Sequence, residues 1–185
     1  MPLSVDDGAI EAARSGGAGV DRLIAAVWPE AYRIAFGVLR DRGLAEDAAQ
    51  EACASIARGL PSLKNTAAFS TWSYKIIVNR AISAARARPR TLTLDSSIES
   101  GVHVDRTVAV DLSNALSRLS VVQRAAVILH YYAGLNSREI AAATGVTSAT
   151  VRFHLMLARR ALRKALSSDD ACGNQSVEEA ATDAR

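Results

Sequence analysis

Cysteine is scarce in this sequence. Its 185 residues include only two cysteines, Cys53 and Cys172, which lie far apart along the chain. Neither belongs to a CxxC motif or has a pair of histidines nearby, so the pattern argues against a zinc site and against a disulfide framework. We therefore predict no metal and no cofactor. We expect Cys53 to be a small buried side chain on a helix and Cys172 to be a free thiol on a tail.

Long apolar runs are also lacking. No run reaches the roughly 18 residues that a membrane-spanning helix requires. The sequence begins MPLSVDDGAIEAARSGG, which is acidic and has neither the basic start nor the apolar core of a signal peptide. We therefore expect a cytoplasmic protein with no membrane insertion.

Motifs of enzymatic catalysis are lacking as well. The three histidines, His103, His130 and His154, are scattered along the chain. The sequence contains no Ser-His-Asp arrangement, no HExxH motif and no glycine-rich phosphate loop. We expect no catalytic residues, and hence no enzyme.

Acidic residues are nearly lacking from one long segment. Residues 113–168 contain eight Lys or Arg and a single acid, Glu139, whereas residues 169–185 contain five acids and one Arg. The overall net charge of only +3 conceals this asymmetry. A solvated basic face would ordinarily carry acidic partners, which this segment does not have. The charge distribution therefore predicts a nucleic-acid-binding segment followed by an acidic tail.

No strand pattern is convincing, although VHVDRTVAV between Arg90 and Asp111 could form a short strand, and helical periodicity dominates. The pattern predicts a helix from Val20 to Leu39 with either a break or a new first turn at Trp28-Pro29, a helix of about 15 residues restarting after Gly43, and a third helix that ends before Pro89. The expected fold is all-α, with two small helical domains joined by a flexible linker. The predicted divisions are an N-terminal extension 1–19, a domain 20–88, a linker 89–111, a domain 112–168 and a disordered acidic tail 169–185.

The second domain contains a helix-turn-helix pattern. Asn136 with Glu139 three residues later predicts a capped short helix of small residues, and Thr144-Gly145-Val146 predicts a tight turn. Thr147 or Ser148 would then cap a longer, basic helix. A short helix, a turn and a longer basic helix form a motif whose second helix enters the major groove of DNA.

The outer face of that longer helix is unusual for a soluble protein. At 100° per residue, one stripe is suited to burial and comprises Val151, Leu155, Ala158 and Leu162. Phe153, Met156 and Leu157 then point outward among arginines. Arg152 could bind a guanine, and Phe153 and Met156 could contact thymine methyl groups. The side chains suited to phosphates are Ser137, Thr147, Ser148, Arg159, Arg160 and Arg163. The alternative is that the apolar residues pack against another domain or a partner protein.

Three segments carry a resemblance to a known family. They are GLAEDAAQEACASIARGL, AAFSTWSYKIIVNRAISAARAR and the long stretch from ALSRLSVVQRAAVILHYYAG to RRALRKAL. Together these segments, which cover about residues 20–88 and 112–166, resemble the extracytoplasmic-function (ECF) group of bacterial sigma factors. That group belongs to the sigma-70 family, the promoter-recognition subunits of RNA polymerase.

The resemblance implies a role for each domain. Residues 20–88 would be sigma region 2, which binds core polymerase at its clamp helices through Glu46, Asp47, Gln50 and Glu51. The same region would hold the unpaired bases of the minus-ten element through Lys64, Asn65, Thr66, Phe69, Trp72, Lys75, Asn79, Arg80 and Arg86. Residues 112–168 would be region 4, contacting the polymerase flap and the duplex minus-thirty-five element through Ser137, Thr147, Ser148, Arg152, Phe153, Met156, Leu157, Arg159 and Arg160. An anti-sigma factor is a further implied partner.

Some residues depart from the pattern of the family. Ser120 replaces a usual Pro, which predicts a less rigid entry into the second domain. Phe153 and His154 replace a common Ser-Arg pair, and Leu157 replaces a common Arg. These changes predict more contacts with thymine methyl groups, fewer with guanine and a flatter salt dependence of DNA binding.

Two other classes of protein remain as alternatives. One is a helix-turn-helix regulator that binds duplex operators without core polymerase, although residues 1–88 do not resemble a sensor. The other is a decoy that binds polymerase or an inhibitor without reading DNA, which the basic end of the third helix argues against.

Overall fold

A computed structural model describes residues 3, 5–87 and 114–164. These residues form helices and helical turns and no strand, which confirms the predicted all-α fold. The proposed linker 89–111, the acidic tail, His103 and Cys172 lie outside the described residues. No helix in the described part of the chain combines the length and the apolar character needed to cross a membrane.

The N-terminal half contains four helices. They are α1 (Asp7–Arg14), α2 (Ala18–Leu39), α3 (Arg42–Gly59) and α4 (Phe69–Ala87), and two short 3-10 turns, Leu60–Ser62 and Thr66–Ala68, connect the last two. The most extensive packing joins α2 to α3. The face of α3 that meets the core is lined by alanines, together with Cys53 and Ile56. These small side chains allow the two helix backbones to approach closely.

Two helix boundaries differ from the sequence prediction. The helix α2 continues through Pro29 without a break. Pro29 has no N–H to donate, so the carbonyl of Ala25, four residues earlier, lacks its helical partner. Both residues are exposed, so water can donate to this carbonyl instead. The helix α3 begins at Arg42 and spans 18 residues, because the Asp41 carboxylate caps it by accepting from Leu44 N at 3.0 Å.

The N-terminal extension is part of the packed structure. Asp6 caps α1 by accepting from Gly8 N, and Ile10 and Ala13 are buried. Leu3 is also buried; its backbone N donates to the Tyr74 hydroxyl at 2.6 Å, and its carbonyl accepts from Ser70 Oγ at 2.9 Å. Leu3, which precedes the first predicted helix, is therefore hydrogen-bonded to α4.

The C-terminal half begins with a short helix α5 over 114–117 and continues with α6 (Val121–Val127) and α7 (Ser137–Thr144). Between α6 and α7 lies a π-helical turn, Ile128–Tyr132. The last helix, α8, occupies 148–164. The Ser120 side chain accepts from Gln123 N, and the Gln123 side chain accepts from Ser120 N. The entry to α6 is thus firmly capped, contrary to the expectation from the missing Pro.

The two halves pack against each other. The helix α4 lies against α7, α2 lies against α6, and the buried side chains of both halves form one continuous cluster. The carboxylate of Glu30 on α2 is buried and accepts from the Tyr132 hydroxyl at 3.0 Å. Arg124 on α6 is also buried, and burial lowers the pKa of its guanidinium to about 10, with a further lowering by Arg40. The predicted division into domains stays a prediction.

Candidate nucleic-acid interface

The helix-turn-helix forms as the sequence predicts. The Asn136 side chain accepts from the backbone N of Arg138 and Glu139, while Glu139 accepts from Asn136 N, which completes the predicted cap of α7. Gly145 ends α7 in the left-handed conformation with a φ of 73°, where a side chain would be strained. Thr147 Oγ1 then accepts from Thr150 N at 3.1 Å, so Thr147, the first of the two candidates, caps α8.

The burial of α8 follows the predicted stripe. Val151, Leu155 and Ala158 are buried, and Leu162 is half-buried. On the opposite side, Phe153 and Met156 are each 54% exposed. Neither of these side chains is covered by another element among the described residues.

The exposed face of α8 combines cationic and apolar groups. Arg152 and Arg160 are exposed, and Arg160 is one turn from Met156 and two turns from Phe153, so these three side chains form a stripe. Leu157 is half-buried and lies at the edge of this face. Such a stripe could donate hydrogen bonds to base edges and contact methyl groups in a major groove.

The remaining predicted minus-thirty-five residues surround this stripe. Ser137 is the first residue of α7 and, like Ser148, is half-buried. The Thr147 hydroxyl is engaged by the cap and lies 2.9 Å from Thr150 Oγ1. The guanidinium of Arg159 is exposed and contacts Tyr131 and His130 of the π-helical turn. The sequence did not assign these two residues to the interface, and nothing in the local pattern indicates a π-helical turn.

The helix α4 presents a second polar face. Lys75, Asn79 and Arg86 are exposed and spaced four and seven residues apart, which places them in one stripe. In the preceding loop Lys64 is exposed and Thr66 is half-buried. The Asn65 side chain accepts from Ala67 N at 3.0 Å and so shapes the turn.

The aromatic residues of α4 are more deeply placed than a stacking role requires. Phe69 is 1% exposed, and we correct its assignment to DNA binding, because the first turn of α4 directs the ring into the core. Tyr74 on the same helix is buried as well. Trp72 is half-buried, and its ring packs so closely on Gly59 that a β-carbon there would lie 2.8 Å from Trp72 Cζ2.

The acidic face of α3 is exposed. Glu46, Asp47, Gln50 and Glu51 all face away from the core. Glu51 Oε1 lies 2.9 Å from Arg80 Nη1 on α4, and Arg80 Nη2 donates to Ser55 Oγ at 3.1 Å. An ion pair thus joins a predicted polymerase contact to a predicted DNA contact. The two residues are far apart in the sequence, so periodicity alone could not reveal the pair.

Comparisons with known proteins agree with this architecture. Residues 23–91 match the family described as sigma-70 region 2, and residues 109–162 match sigma-70 region 4. The chain is 30% identical over 142 residues to RNA polymerase sigma factor SigV of Bacillus subtilis, covering 75% of this chain and 86% of that protein. It is 32% identical over 138 residues to ECF RNA polymerase sigma factor SigM of Mycobacterium tuberculosis, covering 73% and 70%.

A solved structure shares the fold. The sigma factor RpoE of Bartonella quintana, in complex with the anti-sigma factor NepR, superposes with a TM-score of 0.70 at 23% identity. The match covers 80% of this chain and 97% of that one. The two matched regions and the identity to SigV and SigM carry the assignment: the chain belongs to the ECF group of the sigma-70 family of RNA polymerase sigma factors.

Proposed function

We propose that this chain directs core RNA polymerase to promoters, takes part in opening the DNA and starts transcription, while performing no bond chemistry itself. The observation that carries the proposal is the outer face of α8. A soluble protein exposes Phe153 and Met156 there, between Arg152 and Arg160, on a helix that follows a short helix and a tight turn. The major groove admits such a helix and offers both acceptors and methyl groups.

The C-terminal half would bind the duplex minus-thirty-five element. Arg152 donates to a guanine, and Phe153 and Met156 lie against thymine methyl groups. Phosphate contacts come from Arg159, Arg160, Ser137, Thr147 and Ser148, with Leu157 at the edge. We take residues 112–168 as this region.

The N-terminal half would hold unpaired bases of the minus-ten element. Exposed polar and cationic groups and a partly exposed aromatic ring suit a strand that has left the duplex. The groups that remain available are Lys64, Asn65, Thr66, Trp72, Lys75, Asn79, Arg80 and Arg86. We take residues 20–88 as this region, 89–111 as the linker and 169–185 as an acidic tail.

The partners follow from the same surfaces. The exposed acids of α3 suit a basic surface on core polymerase. Transcription initiation would take place in the cytoplasm, where polymerase acts. An apolar groove of about 550 Å³ between α2 and α6, lined by residues that include Gly37 and Ile128, suits an apolar helix of an anti-sigma factor. The RpoE relative is described in complex with such a factor.

The experiment is transcription in vitro with bacterial core polymerase, this protein and a pool of genomic fragments, followed by sequencing of RNA 5′ ends. We expect discrete starts that depend on the protein and share motifs at two fixed upstream positions. A matched variant, Arg152→Ala, should lose starts in proportion to the guanine content of the upstream motif. New starts that never appear, while the protein alone shifts duplex DNA, would establish an operator-binding regulator instead.

A further inference from the structure

The guanidinium of Arg159 is held by two side chains of the π-helical turn. Its Nε donates to the Tyr131 hydroxyl at 2.6 Å, and its Cζ lies 5.6 Å from the centre of the Tyr131 ring. Its Nη2 lies 3.5 Å from His130 Nε2. A long cationic side chain on a helix surface ordinarily samples several rotamers, and these contacts restrict it.

His130 is itself held in one orientation. Its Nδ1 lies 2.9 Å from the Leu135 carbonyl oxygen. Because a carbonyl only accepts, the hydrogen of the neutral ring is on Nδ1, and Nε2 is left as an acceptor toward Arg159. The His130 ring also meets the Tyr131 ring edge-on at 4.8 Å. Leu135, His130, Tyr131 and Arg159 therefore form one connected arrangement.

The π-helical turn explains why Tyr131 can reach α8. Ala133 N donates to the Ile128 carbonyl at 3.1 Å, a bond that spans five residues and widens the turn. The hydroxyls of two successive tyrosines are then hydrogen-bonded to two different helices. Tyr131 faces Arg159 on α8, whereas Tyr132 donates to Glu30 on α2.

We propose that Tyr131 is a positioning residue for DNA binding, which holds Arg159 where it meets a phosphate of the minus-thirty-five duplex. Arg159 follows Arg152 by seven residues, which is two turns, so both cations lie on one flank of α8. Arginine has five N–H donors, and the contacts with Tyr131 and His130 use the Nε hydrogen and one Nη2 hydrogen. The three other Nη hydrogens stay available to a phosphate. The inference rests on the proposed function, in which α8 enters the major groove.

Variants of Arg159 and Tyr131 are expected to change the salt dependence of DNA binding in different ways. Arg159→Ala removes a phosphate contact, so the slope of log affinity against log salt should flatten by about 0.9. Tyr131→Phe keeps the charge and the ring but removes the hydroxyl that accepts from Arg159 Nε, so the guanidinium is held less firmly. The Arg159 side chain must then be ordered when DNA binds, which costs conformational entropy. Affinity should therefore fall about threefold to tenfold at every salt concentration, while the slope stays unchanged.

The experiment uses holoenzyme assembled from core polymerase and the full chain, with a linear promoter duplex recovered from the transcription experiment. Dissociation constants are measured between about 50 and 200 mM salt for wild type, Tyr131→Phe, Arg159→Ala and Arg160→Ala, and for Tyr131→Phe combined with each arginine variant. We expect Tyr131→Phe to have no further effect once Arg159 is absent and its full effect once Arg160 is absent. This cycle isolates the pair, since a general loss of folding would persist in both backgrounds.

Three results would overturn the proposal: a Tyr131→Phe variant that binds like wild type, one that changes the salt slope, or one that has the same effect without Arg159. If the proposed function itself were wrong, the result would differ from all three, because wild-type holoenzyme would then form no promoter complex at all.

Discussion

The proposed recognition of thymine depends on two exposed apolar side chains of α8, Phe153 and Met156. Their side chains are each 54% exposed, although nothing in the described part of the chain packs over them. Apolar groups in that position gain free energy only when a partner covers them. In a major groove the complementary group is the thymine methyl, which uracil lacks.

Removing the thymine methyl group from the DNA tests this proposed contact. Replacing thymines of the minus-thirty-five element by deoxyuridine, one at a time, should weaken the binding of wild-type holoenzyme by about 1 kcal/mol at the contacted position, because only one buried methyl group is lost. Phe153→Ala should bind the thymine and the uracil duplex equally at the base pair that Phe153 contacts. Competition binding measures both. Equal sensitivity of wild type and variant at every position would show that Phe153 reads no methyl group.

Cys53 has the opposite character, since it is buried on the alanine-lined face of α3. Burial raises the pKa of its thiol to about 11. The reactive thiolate is therefore scarce near neutral pH, and the sulfur is also inaccessible. In a Cys172→Ser variant, we expect Cys53 to react with an aromatic disulfide reagent only after unfolding in denaturant. Rapid reaction of the folded protein at about pH 8 would contradict the packing of α2 on α3.

At the scale of elements, the contact between α1 and α2 depends on Gly19. A β-carbon there would overlap the backbone of Ala12, which cannot move without displacing α1. We expect Gly19→Ala to lower the free energy of unfolding by about 1–3 kcal/mol, measured by urea denaturation. Since α1 contacts both 3-10 turns before α4, hydrogen exchange in residues 60–68 should also accelerate.

A matched glycine provides the control. A β-carbon at Gly43 on α3 would lie 3.7 Å from Asp41 Oδ1, which is an ordinary contact. Gly43→Ala should therefore stabilise the protein by up to about 1 kcal/mol through helix propensity. A Gly19→Ala variant as stable as this control would show that α1 does not pack closely on α2.

The elements also show how far periodicity alone leads. The buried stripe of α8 and the cap at Asn136 were predictable, because helical spacing and capping are local properties of the sequence. The role of Leu3 was not, since its bonds to Tyr74 and Ser70 join residues far apart in the chain. Phe69 illustrates a third case: its type suited base stacking, but the direction of the first turn of α4 placed it in the core.

At the scale of the whole molecule, the two packed halves are small compared with the distance between the two promoter elements. Elements centred about 25 base pairs apart lie about 85 Å apart on straight DNA. A compact body the size of the two described halves has a radius of gyration of only about 14 Å. The 26 residues of 88–113 reach at most about 90 Å when extended. In the proposed function, in which each half binds one element, the halves must therefore separate, and the contacts between them would oppose promoter binding.

The hydrogen bond from Tyr132 to Glu30 is one such contact. The Glu30 carboxylate is buried, and its Oε2 also accepts from Arg33 Nη1 at 3.3 Å. Tyr132→Phe would leave this buried acid with fewer donors when the halves are packed, whereas water would serve it when they are apart. We expect the packed arrangement to lose about 1–3 kcal/mol relative to the separated one.

Distances between spin labels measure that equilibrium. With Cys172→Ser, labels at Glu46→Cys on α3 and Ala149→Cys on α8 occupy exposed positions in opposite halves. Tyr132→Phe should increase the ratio of long to short distances about fivefold or more, because 1 kcal/mol changes an equilibrium ratio by that factor. Tyr32→Phe removes the same hydroxyl from a tyrosine that stacks on Phe36 within α2, so its distances should equal those of the wild type. Core polymerase should drive all three proteins to long distances. If Tyr132→Phe kept the wild-type distribution, the Glu30 contact would contribute nothing to holding the halves together.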